Sequence, residues 1–186
     1  MKRRLQIGVI GPERKNMAEN AEQLIVMAGQ IGCQIALKGA VLITGGCTGI
    51  AEAASKGAYA QGGITIGTPG SKRGTSVDGI TVEICTPMEI GDYLVAGVLS
   101  CDSIIVFPGD AGTLAELALA YRYKKPVIFI KGFRENLLTE LFKNVPKDYP
   151  VFVALNAEEA VVLAISAATR ELADSAKQST NNQISN

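Results

Sequence analysis

Ser103-Ile104-Ile105-Val106-Phe107-Pro108-Gly109-Asp110-Ala111-Gly112-Thr113-Leu114-Ala115-Glu116 sets the fold class. Four apolar β-formers run without a polar break up to Phe107, as a strand covered on both faces requires. Pro108 ends the run. A glycine-rich turn follows, and from Thr113 to about Tyr123 the residues Leu114, Leu117, Ala118 and Tyr121 recur at helical spacing. The unit is strand, tight turn, helix.

The same unit repeats on either side. Leu5–Gly11 reads as a first strand entering a Gly-Pro turn, followed by a helix from about Met17 to Ile31 that Gly32 closes. Val41-Leu42-Ile43-Thr44 ends in Gly45-Gly46, and an alanine-rich helix spans about Thr48 to Ala60, stopped by Gly62-Gly63. Ile64–Gly67 is a third strand. Thr68–Asp78 is a long Gly/Ser/Pro loop carrying Lys72 and Arg73. Strand Ile80–Cys85 and helix Met88–Leu99 precede the opening stretch. Strand Pro126–Ile130, a short amphipathic helix over 134–143, strand Val151–Val153 and a helix from Ala157 to about Leu172 follow it. This alternation predicts a doubly wound, Rossmann-like α/β fold, with a mostly parallel sheet of about seven strands and helices on both faces. Residues 1–172 form one domain in this reading. Residues 173–186, rich in Ser, Gln and Asn, form a polar disordered tail.

Composition bounds the function. Eighteen basic and eighteen acidic side chains cancel, which argues against a broad nucleic-acid surface. There is no histidine, so His-based triads and Cys/His metal centres are excluded and no metal is expected. Cys85 and Cys101 lie in or beside apolar stretches and read as small core residues. No apolar run approaches a membrane span or a secretory leader, and the chain reads as cytoplasmic with no membrane partner.

In an open parallel sheet, ligands bind beyond the carboxyl ends of the strands. Glycine marks three such turns: Gly8–Gly11, Gly45–Gly49 and Gly109–Gly112. Glycine there lets a ligand approach the backbone without meeting a Cβ. The helix beyond directs unpaired N–H groups at the same space. Candidate phosphate ligands are therefore Gly11, Gly45, Gly46, Thr48, Gly49, Gly109, Asp110, Gly112 and Thr113, with Glu116 one helical turn further in. Thr113 and Glu116 also fit a capping box that needs no ligand. Lys72 and Arg73 read either as loop contacts closing over a phosphate or as two solvated charges. The G-x-G-x-x-G fingerprint with its acidic partner is missing, as is G-x-x-x-x-G-K-[ST]. Ordinary NAD binding and P-loop chemistry are disfavoured.

Gly45-Gly46 with Gly49, the closing Gly62-Gly63, Pro108-Gly-x-x-Gly-Thr-x-x-Glu116 and Lys125-Pro126-Val127 together resemble the lysine-decarboxylase-like, LOG-type Rossmann proteins over roughly residues 5–170. The looser variant here is similar to an uncharacterised bacterial branch related to the molybdenum cofactor carrier proteins. The resemblance implies one of two activities. In the characterised enzymes, nucleoside 5′-monophosphates are cleaved at the N-glycosidic bond by dimers; the Gly-Thr turn holds phosphate, and the glutamate matched by Glu116 works beside an arginine. The carrier proteins bind a pterin phosphate without turning it over. Two positions depart from the enzyme pattern. Asp110 replaces the second glycine of Pro-Gly-Gly, placing a carboxylate beside the phosphate. Counting nine residues back from Asp102 puts Tyr93 where the catalytic arginine stands. A phenol is neutral at pH 7 and has one donor. The expectation is accordingly a homo-oligomeric (dimer or tetramer) binder of a nucleotide or molybdopterin-type ligand, with no required cofactor and no efficient catalysis. Phosphoribohydrolase activity with Glu116 as the catalytic carboxylate is the alternative.

Overall fold

A computed structural model describes residues 3–17, 21–86, 92–132 and 149–184, with the side chains at 92–94 and 174–184 left out of account. Strands β1 (Gln6–Ile10), β2 (Val41–Thr44), β3 (Thr65–Gly67), β4 (Val82–Glu83), β5 (Ser103–Val106), β6 (Val127–Ile130) and β7 (Val151–Ala154) form one parallel sheet in the order β4-β3-β2-β1-β5-β6-β7. Between them, among the described residues, lie helices α1 (Glu22–Leu37), α2 (Ile50–Ala60), α3 (Asp92–Ser100), α4 (Ala111–Arg122) and α5 (Ala157–Ile184). The chain steps outward from β1 to β4, then returns to the other side of β1 and steps outward again. Gly8 sits opposite Ile43 on one side and Ile104 on the other. The direction of winding therefore reverses between β1 and β5, which opens a crevice at their carboxyl ends.

Apolar strands explain the two layers, because successive side chains point to opposite faces. Ile7, Val9, Ile105, Phe107, Ile128 and Ile130 pack beneath α1, α2 and α5. Their alternates Ile10, Ile104, Val106, Val127 and Phe129 pack with Val98 of α3 and Leu117 and Ala120 of α4. Burying each such Ile, Val or Phe contributes ~1.5–3 kcal/mol.

Several element boundaries differ from the sequence reading. Gly32 does not end α1; it lies inside it. A Cβ there would come 1.9 Å from the Ala54 carbonyl oxygen, and one at Gly57 would come 2.0 Å from that of Gly29. The glycines are used for backbone-to-backbone contact between α1 and α2, and the helix stops only at Lys38-Gly39, where Gly39 takes φ +71°. The polar segment from Ala173 continues the helical backbone of α5 to Ile184 rather than leaving it at Leu172. No Gly or Pro interrupts 151–184, so nothing in that stretch breaks the ladder. Cys85 is exposed, not a core residue, because β4 is a two-residue edge strand with Val82 and Ile84 themselves largely in solvent. Cys101 is buried as expected. The helix expected over 134–143 falls outside the described residues.

Among the described residues, no helix is long and apolar enough to cross a membrane.

Candidate functional site

The crevice at the switch point is a cavity of about 250 Å³. The ends of four adjacent strands build it. Val9, Ile10 and Gly11 come from β1, Gly45, Gly46 and Cys47 from the turn after β2, Thr68 and Pro69 from beyond β3, and Asp110, Gly112, Thr113 and Glu116 from the turn and first helical residues after β5. Three glycine-marked turns far apart in sequence thus meet in one place.

Close approach explains one of the glycines. A Cβ at Gly11 would lie 2.9 Å from both Ile50 and Phe107, so this turn can pass over the core only without a side chain. Gly45 is the opposite case: a Cβ there would meet nothing nearer than the Cys47 sulfur at 3.7 Å. Its bare face is open to the cavity. Gly46, at φ +70°, donates to the Thr44 hydroxyl at 3.2 Å and accepts from the Val77 amide at 3.0 Å. The second bond brings the long loop after β3 down beside the turn. Glu83 fixes that loop by accepting from the amides of Gly74 (2.7 Å) and Ser76 (2.9 Å). The Ser76 hydroxyl and these amides hold the Glu83 carboxyl below its ordinary range. Thr75, carried by this loop, reaches the cavity wall.

The start of α4 is arranged differently from the sequence expectation. Asp110, not Thr113, is the N-cap. Its Oδ1 accepts from the amides of Gly112 (3.1 Å) and Thr113 (3.3 Å), and its Oδ2 accepts from Asn16 Nδ2. A carboxylate at a helix start satisfies orphan N–H groups and meets the positive end of the dipole. The two amides expected to hold a phosphate are therefore already engaged. With Asp110 in the cap position, Thr113 is the third helical residue and its side chain is released from capping. The Thr113 side chain is 2% exposed; its hydroxyl is enclosed beside Gly109 and has no hydrogen-bond partner among the described residues.

Glu116 lies half-buried one turn deeper. Burial, and then the Asp110 carboxylate, raise its carboxyl from 4.5 to about 8. At neutral pH it is mainly a neutral acid, able to donate one hydrogen bond as well as accept. The Cys47 thiol is pushed up to about 11, first by burial and then by Glu13 and Glu116. In both groups, burial is the larger cause and the neighbouring carboxylates the smaller.

Of the residues singled out in the sequence, Gly11, Gly45, Gly46, Asp110, Gly112, Thr113 and Glu116 line the cavity, while Thr48, Gly49 and Gly109 do not. Thr48 is exposed. Gly49 serves packing: at φ +90° a Cβ would come 2.6 Å from the Pro12 oxygen. At Gly109 a Cβ would collide with the Thr113 side chain at 2.1 Å. Lys72 is a solvent-exposed loop residue, and Arg73 lines a separate shallow hollow at the β4 edge with Ile80 and Glu83. The Tyr93 backbone belongs to α3, but its side chain lies outside the described residues. Asp102, the reference for counting to Tyr93, sits at the opposite end of β5. There it pairs with Arg3 at 2.7 Å and accepts from the Gln6 amide at 2.8 Å, a strap between β1 and β5. Glu13, Cys47, Thr68, Pro69 and Thr75 were missed. Glu13 lies in irregular chain before the short 3-10 turn Arg14–Asn16, where no periodicity marks it. Among the described residues no group of His, Cys, Asp or Glu is placed to hold a metal ion.

Comparison with known proteins agrees with the resemblance read from the motifs. The model of the SLOG cluster4 family matches residues 4–162. A molybdenum cofactor carrier protein from Chlamydomonas reinhardtii is 31% identical, with 89% of this chain and 98% of that one covered at a TM-score of 0.76. A molybdenum cofactor binding protein from the phototrophic bacterium Rippkaea orientalis is 34% identical over 89% and 98% of the two chains, at a TM-score of 0.77. An uncharacterized protein of Archaeoglobus fulgidus is 35% identical over 136 residues, 70% of this chain and 86% of its own.

Proposed function

The chain belongs to the SLOG cluster4 family, and from that premise we propose that it binds a molybdopterin-type pterin phosphate in the switch-point cavity and carries it without chemical change. The observation that bears most weight is the open backbone at Gly45, where a Cβ would meet nothing nearer than the Cys47 sulfur at 3.7 Å among the described residues. Gly45 gives the wall bare backbone, while Glu116, Glu13 and Thr75 give the polar groups that fix orientation. The solved structures of similar chains from Chlamydomonas reinhardtii and Rippkaea orientalis are those of proteins named for the molybdenum cofactor, which supports the same ligand class here. Cytoplasmic residence and assembly into a dimer or tetramer belong to this proposal.

Nucleotide hydrolysis is not part of it. Tyr93 occupies the position of the enzyme arginine and brings no positive charge. Glu116, held mainly protonated, is poorly suited to stabilise an oxocarbenium-like sugar or to activate water. The test is direct. The protein is mixed anaerobically with molybdenum cofactor released from a molybdoenzyme, desalted, and assayed for bound molybdenum and for activation of a cofactor-free molybdoenzyme. Co-eluting, transferable cofactor is the expected result. No co-elution, together with adenine released from AMP, would replace the carrier reading with the hydrolase.

A further inference from the structure

The start of α4 is where the motif places a phosphate, and it is also where this chain already holds an anion. Asp110 Oδ1 takes the Gly112 and Thr113 amides at 3.1 and 3.3 Å, and Asn16 holds Oδ2 from the other side. A phosphate entering here would have to displace a side chain tied at three points and stand beside its charge. Among the described residues, the rest of the lining offers no compensation. Its chargeable side chains besides Cys47 are Glu13, Asp110 and Glu116, with no lysine or arginine among them. The two cations on the adjoining segment are exposed and already paired, Lys15 with Glu13 at 2.8 Å and Arg14 with Glu22 at 3.7 Å. Such a wall disfavours anions and favours hydrogen-bond donors. The size agrees: small-molecule sites commonly span ~300–1,000 Å³, and about 250 Å³ suits a ring system better than a whole nucleotide.

We propose that Asp110 is an internal anion that closes the α4 start to phosphate, so that the cavity receives the N–H-rich edge of a 2-amino-4-oxo heterocycle and leaves any phosphate at its mouth. The inference deepens the carrier reading and rests on it for the identity of the ring. The chemistry is complementary. A 2-amino-4-oxo edge presents adjacent N–H donors and one carbonyl acceptor. Carboxylate oxygens accept from the donors, and the protonated Glu116 can donate to the carbonyl. Asp110 is thus a specificity-determining residue whose charge selects the end of the ligand that enters.

Thermal unfolding and calorimetry with three probes decide it: inorganic phosphate, a phosphate-free pterin and that pterin's phosphate ester. The wild type should show no stabilisation by millimolar inorganic phosphate, and should bind the two pterins within about threefold of each other. Asp110→Gly, which restores Pro-Gly-Gly, should gain a midpoint rise of about 2 °C or more with phosphate. Asp110→Asn keeps the cap geometry without the charge; it should gain a smaller rise and covers the case in which the glycine variant does not fold. Phosphate stabilising the wild type, or the ester binding at least about tenfold tighter than the phosphate-free ring, would overturn the proposal. So would two variants as indifferent to phosphate as the wild type. Failure of both pterins to bind overturns the carrier reading and the ring's identity with it, while the phosphate arm still judges Asp110.

Discussion

Two helix starts face the same crevice, and in sequence they look alike: Gly45-Gly46-Cys47-Thr48-Gly49 before α2, and Pro108–Thr113 before α4. In the folded chain both have their backbone groups engaged within the protein, by different means. At α2 the backbone of the segment after β1 covers the helix start. Ile50 donates to the Pro12 oxygen at 3.4 Å, and Gly49 is wedged against Pro12–Arg14 at φ +90°. At α4 a side chain does it, the Asp110 cap. What remains open is the stretch between strand and helix at Gly45, where a ligand can reach backbone unhindered. A glycine-rich turn before a helix therefore does not by itself mark an anion site; which atoms already hold the amides decides.

The contrast should break most visibly at Gly49. Alanine there combines a left-handed backbone with a collision against Pro12, and should cost about 3 kcal/mol of stability, read as a lowered denaturant midpoint. A near-neutral Gly49→Ala would mean that the packing against Pro12–Arg14 is loose. Asp110→Ala removes a cap of a different kind and should cost ~1–2 kcal/mol. It should also let the Glu116 carboxyl titrate at lower pH, because Asp110 is its second source of upward shift. Both effects are measurable, the second by carboxyl NMR.

Glu116 gives a smaller, pH-dependent signature. Its folded value of about 8 lies above its ordinary 4.5, so the native state holds the proton more tightly than the unfolded chain. That stabilisation is complete below about pH 4.5 and is lost as pH rises through about 8. Glu116→Gln mimics the protonated acid. It should match the wild type near pH 5 and exceed it near pH 8 by on the order of 1 kcal/mol, the full shift being discounted for water at the cavity mouth. The slightest effect is expected at Glu83. Glu83→Gln should leave global stability nearly unchanged while hydrogen exchange at Gly74 and Ser76 accelerates, because those amides lose their charged acceptor.

The fold was legible because strands such as Ser103–Phe107 and Val127–Ile130 are apolar on both faces and alternate with helix-period stretches. The switch-point location followed from that order. Gly32 misled because a helix-ending glycine and a helix-packing glycine look identical until the partner helix is placed; only the Ala54 carbonyl distinguishes them. Asp110 carries a readable signal, since Asp just before a helix is a standard capping residue, but the resemblance to Pro-Gly-Gly marks the position as a missing glycine instead. Glu13 and Thr75 carried no signal, being placed by tertiary bonds of irregular segments.

Ligand binding in the switch-point cavity depends most directly on Gly45. Its Cβ space is empty of protein, so Gly45→Ala should leave stability within about 0.5 kcal/mol while filling the wall against which the ligand lies. Calorimetric titration of a phosphate-free pterin into wild type and Gly45→Ala is the decisive measurement. An affinity loss of at least about tenfold, ~1.4 kcal/mol, with an unchanged unfolding midpoint is predicted. Equal affinity for the two proteins would show that the ligand does not use this cavity.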